Sequence, residues 1–165
     1  MERNHCGPRL IVICGLPGSG KTTAAQWLER QLGAVRLSAD EWMAELGINL
    51  WDEAARARIE SLQWKLTQQL LTAGLIVIIE WGTWGRDERD LLRLGARKLG
   101  AAVELHYLSA PLDVLWERIR SRGLEDPPIT RELLEGWCSK FHNPTPEEML
   151  LFDAPLATAP WPTSS

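Results

Sequence analysis

Apolar runs and amphipathic stretches alternate along this chain. Leu10-Ile11-Val12-Ile13-Cys14 is continuously apolar and reads as a strand buried on both faces, the habit of a parallel sheet. A helix is expected over residues 20–32, stopped by Gly33. Val35-Arg36-Leu37 is a short second strand. Residues 52–73 predict a long amphipathic helix, because Ala55, Ile59, Leu62, Leu66, Leu70 and Ala73 recur at steps of three and four. Gly74 ends it. Leu75-Ile76-Val77-Ile78-Ile79 is a third strand, residues 86–99 a helix closed by Gly100, and residues 103–108 a fourth strand. Pro111 opens a helix running to about residue 122, and residues 130–140 form another. Thr145-Pro146-Glu147-Glu148 has the pattern of a capping box. The stretch 157–165, with Pro160, Pro162 and a terminal Ser-Ser, reads as a loose tail. Strands alternating with helices predict a layered α/β fold, a parallel sheet of about four to five strands flanked by helices. Neither a repeat nor a linker interrupts it, so residues 1–165 are expected to form a single domain.

Composition narrows the function classes. The chain has 165 residues, 45% of them hydrophobic and 24% charged, enough for a core without disulfides. Net charge is −4 and the isoelectric point near 5.4, which argues against a strongly basic nucleic-acid surface. Cys6, Cys14 and Cys138 show no metal or redox spacing, and Cys14, inside an apolar run, is a small buried hydrophobe. His5, His106 and His142 are scattered, so no zinc site is expected. The apolar runs are too short to span a membrane and no signal-type stretch leads the chain; a cytoplasmic protein, monomer or dimer, is expected. Nine tryptophans stand out, and several fall beside the chemistry.

That chemistry begins at Gly15-Leu16-Pro17-Gly18-Ser19-Gly20-Lys21-Thr22-Thr23, a full match to G-x-x-x-x-G-K-[ST] between a strand and a helix. Glycines let backbone N–H groups wrap closely around phosphates, and the helix N-terminus adds the positive end of its dipole. In this pattern Gly15, Pro17, Gly18, Ser19, Gly20, Lys21, Thr22 and Thr23 cradle a nucleoside triphosphate. Lys21 reaches the β- and γ-phosphates, and Thr22 offers its hydroxyl to Mg²⁺.

Four further segments bear on what happens to the phosphate. Ser38-Ala39-Asp40-Glu41-Trp42 follows the second strand, where ligands of such sheets gather. Asp40 is the candidate general base, with Glu41 behind it; capping of the next short helix is the competing role for Asp40. Glu80 ends the third apolar strand, the place of a magnesium-linked acid, unless an arginine or the backbone satisfies it. Arg118 and Arg122 lie four apart on one helix face and suit a clamp on transferring phosphoryl oxygens. The segment after the third strand supplies Trp81, Trp84 and Arg86, which with Trp42 are candidates for an acceptor pocket; Arg86 or Arg89 would hold an anion, if either is more than a surface helix residue.

The loop GLPGSGKTT, the segment LSADEW, the acid-ending third strand and the helix WERIRSRG resemble small P-loop kinases of the polynucleotide kinase, zeta toxin and chloramphenicol phosphotransferase type. The resemblance covers roughly residues 9–141 and implies a three-layer P-loop NTPase fold with a small helical lid over about residues 118–141. It implies Asp40 as base, lid arginines Arg118 and Arg122, an ATP–Mg²⁺ donor and a hydroxyl acceptor. Two departures count. Met43 stands where the phage-type polynucleotide kinase has a phosphate-holding arginine, and the third strand ends Glu80-Trp81-Gly82 in place of an Asp-containing motif. The expected function is therefore transfer of the γ-phosphate of ATP to a small-molecule hydroxyl. A nucleic-acid 5′-hydroxyl kinase and a nucleotide-dependent switch that binds a protein partner are the alternatives. The chain has only four lysines, Lys21 among them, too few to track a phosphate backbone.

Overall fold

The computed structural model describes residues 7–157. Cys6, His5, Trp161 and the expected loose tail beyond Ala157 lie outside them. In chain order the elements are β1 (Arg9–Cys14), α1 (Lys21–Leu32), β2 (Val35–Leu37), α2 (Ala39–Glu45), α3 (Glu53–Thr72) and β3 (Ile76–Gly82). Then come α4 (Arg86–Lys98), β4 (Ala102–Tyr107), α5 (Leu112–Arg122), α6 (Arg131–Lys140) and α7 (Pro146–Met149).

The sheet runs β2-β3-β1-β4 with every pairing parallel. β1 is central, and Leu10 through Cys14 are wholly buried, as the unbroken apolar run predicts. Alternate residues feed opposite faces. Leu10, Val12, Val77, Ile79, Val103 and Leu105 pack toward Leu71 of α3 and Leu92 and Ala96 of α4. Ile11, Ile13 and Ile78 pack against Ala24, Ala25 and Leu28 of α1. The outcome is three layers, and this is the P-loop NTPase architecture. Each buried valine, leucine or isoleucine among them contributes about 1.5–3 kcal/mol by leaving water. α5 and α6 close a separate apolar cluster of Leu115, Ile119, Ile129 and Leu134.

The outer edge of β4 is covered without a further strand. Asp153 takes the Val103 N–H on its carboxylate at 2.6 Å and returns its own N–H to the Val103 carbonyl at 2.8 Å, which blunts an exposed edge. Burial pushes the Cys14 thiol up to about 12, as suits an inert core cysteine.

Three local expectations need correction. The buried stripe of α3 is Ala55, Ile59, Gln63, Thr67 and Leu71, while Leu62 and Ala73 are exposed. Polar Thr67 is satisfied by donating from Oγ1 to the Gln63 carbonyl at 2.8 Å, and Gln63 is half satisfied: its Oε1 accepts from Trp81 Nε1 at 2.6 Å while its buried Nε2 has no partner. At α7 only half of the capping box forms. Thr145 accepts from the Glu148 N–H, but the Glu148 carboxylate turns to Arg89. That arginine, read from sequence as a surface or anion-holding residue, is fully buried. It donates to Glu148 at 2.6 and 3.0 Å and to the carbonyls of Thr83 and His142, each at 2.9 Å.

Candidate active site

The β1–α1 turn has the shape its glycines allow. Gly15, Gly18 and Gly20 take φ of 151°, 79° and 99°, which residues bearing a Cβ rarely adopt. A Cβ on Gly15 would stand 2.3 Å from the Leu108 carbonyl oxygen, and one on Gly18 2.9 Å from that of Leu115. α1 starts at Lys21 with no side-chain cap and no acid in its first turn, so its leading N–H groups remain free for an anion. Lys21 Nζ donates to the Leu16 carbonyl at 3.0 Å. Desolvation holds its ammonium down to about 8, against the pull of Asp40 and Glu80 and with the push of Arg122.

Asp40 is not a cap. Ser38 caps α2, accepting the Glu41 N–H at 3.4 Å, which leaves the Asp40 carboxylate to meet Arg56 of α3 at 2.5 Å through Oδ1. Arg56 also donates to the Leu50 carbonyl at 3.1 Å.

Glu80 is 7% exposed. Burial raises its pKa, and hydrogen bonds from the Thr22 hydroxyl and Arg36 oppose the rise. Arg36, in the middle of β2, ion-pairs Glu80 and also reaches Glu41 at 2.8 Å and Glu29 at 3.1 Å. The arginine considered as a partner for Glu80 is thus Arg36, and Thr22 lies beside the same carboxylate.

Arg118 crosses from α5 to donate to the Gly18 carbonyl at 3.1 Å, so the helix sits directly on the turn. Arg122 pairs with Glu125 at 2.6 Å. Both line one open cavity of about 990 Å³ that also takes in Lys21, Thr22, Asp40 and Glu80. The same cavity is walled by Trp51, Trp81, Trp84 and Trp137, with Arg56, Glu60 and Glu88. Asn49 Nδ2 and Trp51 Nε1 donate to the carbonyls of Asp126 and Pro127 at 2.9 and 2.7 Å, tying the α2–α3 turn to the α5–α6 turn.

Two proposed pocket residues lie elsewhere. Trp42 packs between the sheet cluster and the Ala39, Met43 and Ile59 cluster. Arg86 points outward and pairs with Asp90. Met43 is wholly buried and does not line the cavity. The sequence reading missed Arg36, Arg56, Glu60, Trp51 and Trp137. An arginine inside a three-residue strand was the available signal for the first. The four-residue spacing of Arg56 and Glu60 on one helix face was the signal for the next two.

Residues 10–144 match a known protein family, AAA_33, an AAA domain. The chain belongs to this family of P-loop kinase domains. An uncharacterized protein of Mycobacterium tuberculosis (strain H37Rv) is 29% identical over 153 residues, covering 82% of this chain and 30% of its own length. The AAA domain here therefore spans under a third of the mycobacterial relative. A shikimate kinase of Rhizobium leguminosarum bv. trifolii is 30% identical over 124 residues, covering 73% of this chain and 61% of its own. Among solved structures, a sugar kinase from Janibacter sp. HTCC2649 superposes with a TM-score of 0.60 at 26% identity, covering 85% and 81% of the two chains. The Pnkp1/Rnl/Hen1 RNA repair complex shares the fold, with a TM-score of 0.68 at 23% identity over 85% of this chain and 46% of that one. The AAA domain contains no helix among its described residues long and apolar enough to cross a membrane.

Proposed function

We propose that the protein is an ATP-dependent kinase that moves the γ-phosphate to the hydroxyl of a small-molecule acceptor, with Asp40 as general base. The observation that carries this reading is one continuous cavity lined by Lys21 of the phosphate turn, by Asp40 and by the tryptophans Trp51, Trp81, Trp84 and Trp137.

In the proposed step the acceptor O–H gives its proton to Asp40 while its oxygen forms a bond to the γ-phosphorus. The bond from that phosphorus to the bridging oxygen breaks, and ADP leaves with the electron pair. Arg56 engages only Oδ1 of Asp40, so Oδ2 remains to take the proton. Lys21 holds the β- and γ-phosphates. Arg118 and Arg122, on the helix that covers the turn, offset charge on the transferring oxygens. The Thr22 hydroxyl and the Glu80 carboxylate are adjacent hard oxygen donors that would hold Mg²⁺, which when bound would supply positive charge to offset that of the phosphates.

A small acceptor is favoured over a nucleic acid because, beyond the residues given to the phosphates, the cavity is walled by tryptophans and carboxylates, with Arg56 already paired. Incubation with γ-labelled ATP and a cell metabolite extract should label an acceptor. Asp40→Asn should lower that transfer roughly 10²–10⁴-fold, the usual worth of a general base, while ADP affinity is unchanged. If no compound is labelled and ATP turnover is indifferent to Asp40→Asn, the reading fails and a slow nucleotide switch takes its place. If labelled oligonucleotides appear instead, in a salt-sensitive way, the acceptor is nucleic acid.

A further inference from the structure

With Lys21, Arg118 and Arg122 of the cavity given to the phosphates, the rest of its lining has a charge balance that its neighbours leave unsettled. Asp40, Glu53, Glu60 and Glu88 all line the cavity. Against them stand Lys140, exposed at the end of α6, and Arg56, which already engages Asp40 and the Leu50 carbonyl. Glu60 has no hydrogen bond or ion pair of its own among the described residues. Burial pushes its carboxyl up to about 7; Arg56 pulls it back, and Glu88 and Asp40 add to the rise. Glu88 holds the Gly85 N–H through Oε2, which leaves its other oxygen available.

The same walls are aromatic. Trp84 meets Trp137 edge-on at 5.5 Å between centroids, and Trp51 lies 6.1 Å from Trp137. Trp81 is fixed by its hydrogen bond to Gln63. A second feature points to a ligand independently of the acids. Thr83 lines the cavity and is only 5% exposed, yet its Oγ1 has no hydrogen-bond partner. A buried hydroxyl without a partner is costly unless something arrives to meet it.

Indole faces attract cations, and a carboxylate next to them adds direct charge pairing. The same walls would repel an anionic acceptor. Building on the kinase reading above, we propose that the acceptor is a hydroxyl compound that also carries an ammonium group, held between the tryptophan wall and Glu60 with Thr83 Oγ1 as a hydrogen-bond partner. The ammonium group anchors the molecule and leaves its hydroxyl to face Asp40.

Three hydroxyl compounds of similar size test this: phenylalaninol, its neutral N-acetyl derivative and phenyllactate. Binding to the full chain saturated with ADP and Mg²⁺ is measured by calorimetry, and transfer is followed separately with γ-labelled ATP. Phenylalaninol should bind at least tenfold tighter than either analogue. Glu60→Gln should erase most of that preference, and Glu60→Asp should restore part of it, which separates charge pairing from loss of packing. Thr83→Val should weaken all three compounds alike. If phenylalaninol binds no better than its N-acetyl derivative, or if phenyllactate binds best, the inference is overturned, and the second result would reassign Arg56 as an anion holder. If phenylalaninol shows the preference and its loss in Glu60→Gln, but no compound of a metabolite extract gains phosphate and ATP turnover is indifferent to Asp40→Asn, the ammonium site stands and the kinase reading falls.

Discussion

Lys21 shows how one residue carries two demands. Its ammonium sits in a desolvated place, held down to about 8, because the site is shaped for phosphates that supply the missing negative charge. Binding a nucleotide should therefore raise its pKa and take up a proton. The sign follows from linkage: the bound state holds the proton more tightly, so ADP affinity should fall as pH rises through about 8 and beyond, where the phosphates are already ionised. Calorimetry in two buffers of different ionisation heat should register the uptake near pH 8.5, and Lys21→Met should abolish both the uptake and the slope. A pH-independent affinity would sink this account of the lysine. The loop residues themselves were legible from sequence because a Gly-rich turn between a strand and a helix has few other uses. Asp40 was only half legible, since an acid at the second residue of a helix serves as readily to cap or to favour the dipole. The Ser38 cap, which frees Asp40, required the three-dimensional course of the chain.

Elements explain what single positions could not. α5 lies on the phosphate turn through Arg118 and through the close approach of Gly18 to Leu115, and it shares an apolar cluster with α6, Leu16 and Trp51. That cluster of Leu115, Ile119, Ile129 and Leu134 is distinct from the two sheet cores, which is compatible with the lid proposed for α5 and α6. Arg89 and Glu148 join α4 to α7 behind the cavity and hold the Thr83 and His142 carbonyls in place. Removing one partner leaves a buried charge alone, so Arg89→Met should cost about 3–5 kcal/mol in urea unfolding. The double change Arg89→Met with Glu148→Leu should cost clearly less, because no charge is then stranded. Equal losses for the single and double variants would contradict this. Helix α4 was correctly bounded from sequence, but Arg89 was misjudged, because pattern alone cannot tell a surface arginine from one buried against a glutamate 59 residues away. The α3 stripe drifted for a related reason: Gln63 and Thr67 look like surface residues until their partners are known.

At the scale of the whole molecule, the parallel sheet gathers its chemistry at one edge. The turn after β1, the start of α2 beyond β2 and the segment ending β3 all open at the carboxyl ends of their strands, where α/β sheets bind ligands. Strand order β2-β3-β1-β4 brings Glu80 of β3 between Arg36 of β2 and Thr22 beyond β1, a neighbourhood that segments distant in sequence do not announce. The layered fold and the donor half of the site were thus readable from periodicity and one motif. The acceptor half was not, because Trp51, Arg56, Glu60 and Trp137 come from helices and turns whose meeting depends on tertiary packing. The central claim is that Asp40 stands one acceptor oxygen away from the transferring phosphate. A crystal structure with AMPPNP and Mg²⁺ tests it most directly. The account predicts the γ-phosphorus within about 6 Å of an Asp40 carboxylate oxygen, the sum of a near-attack approach and a hydrogen bond of about 3 Å each, with the tryptophan-walled space open beside it. A γ-phosphate facing away from Asp40, or separated from it by protein atoms, would contradict it.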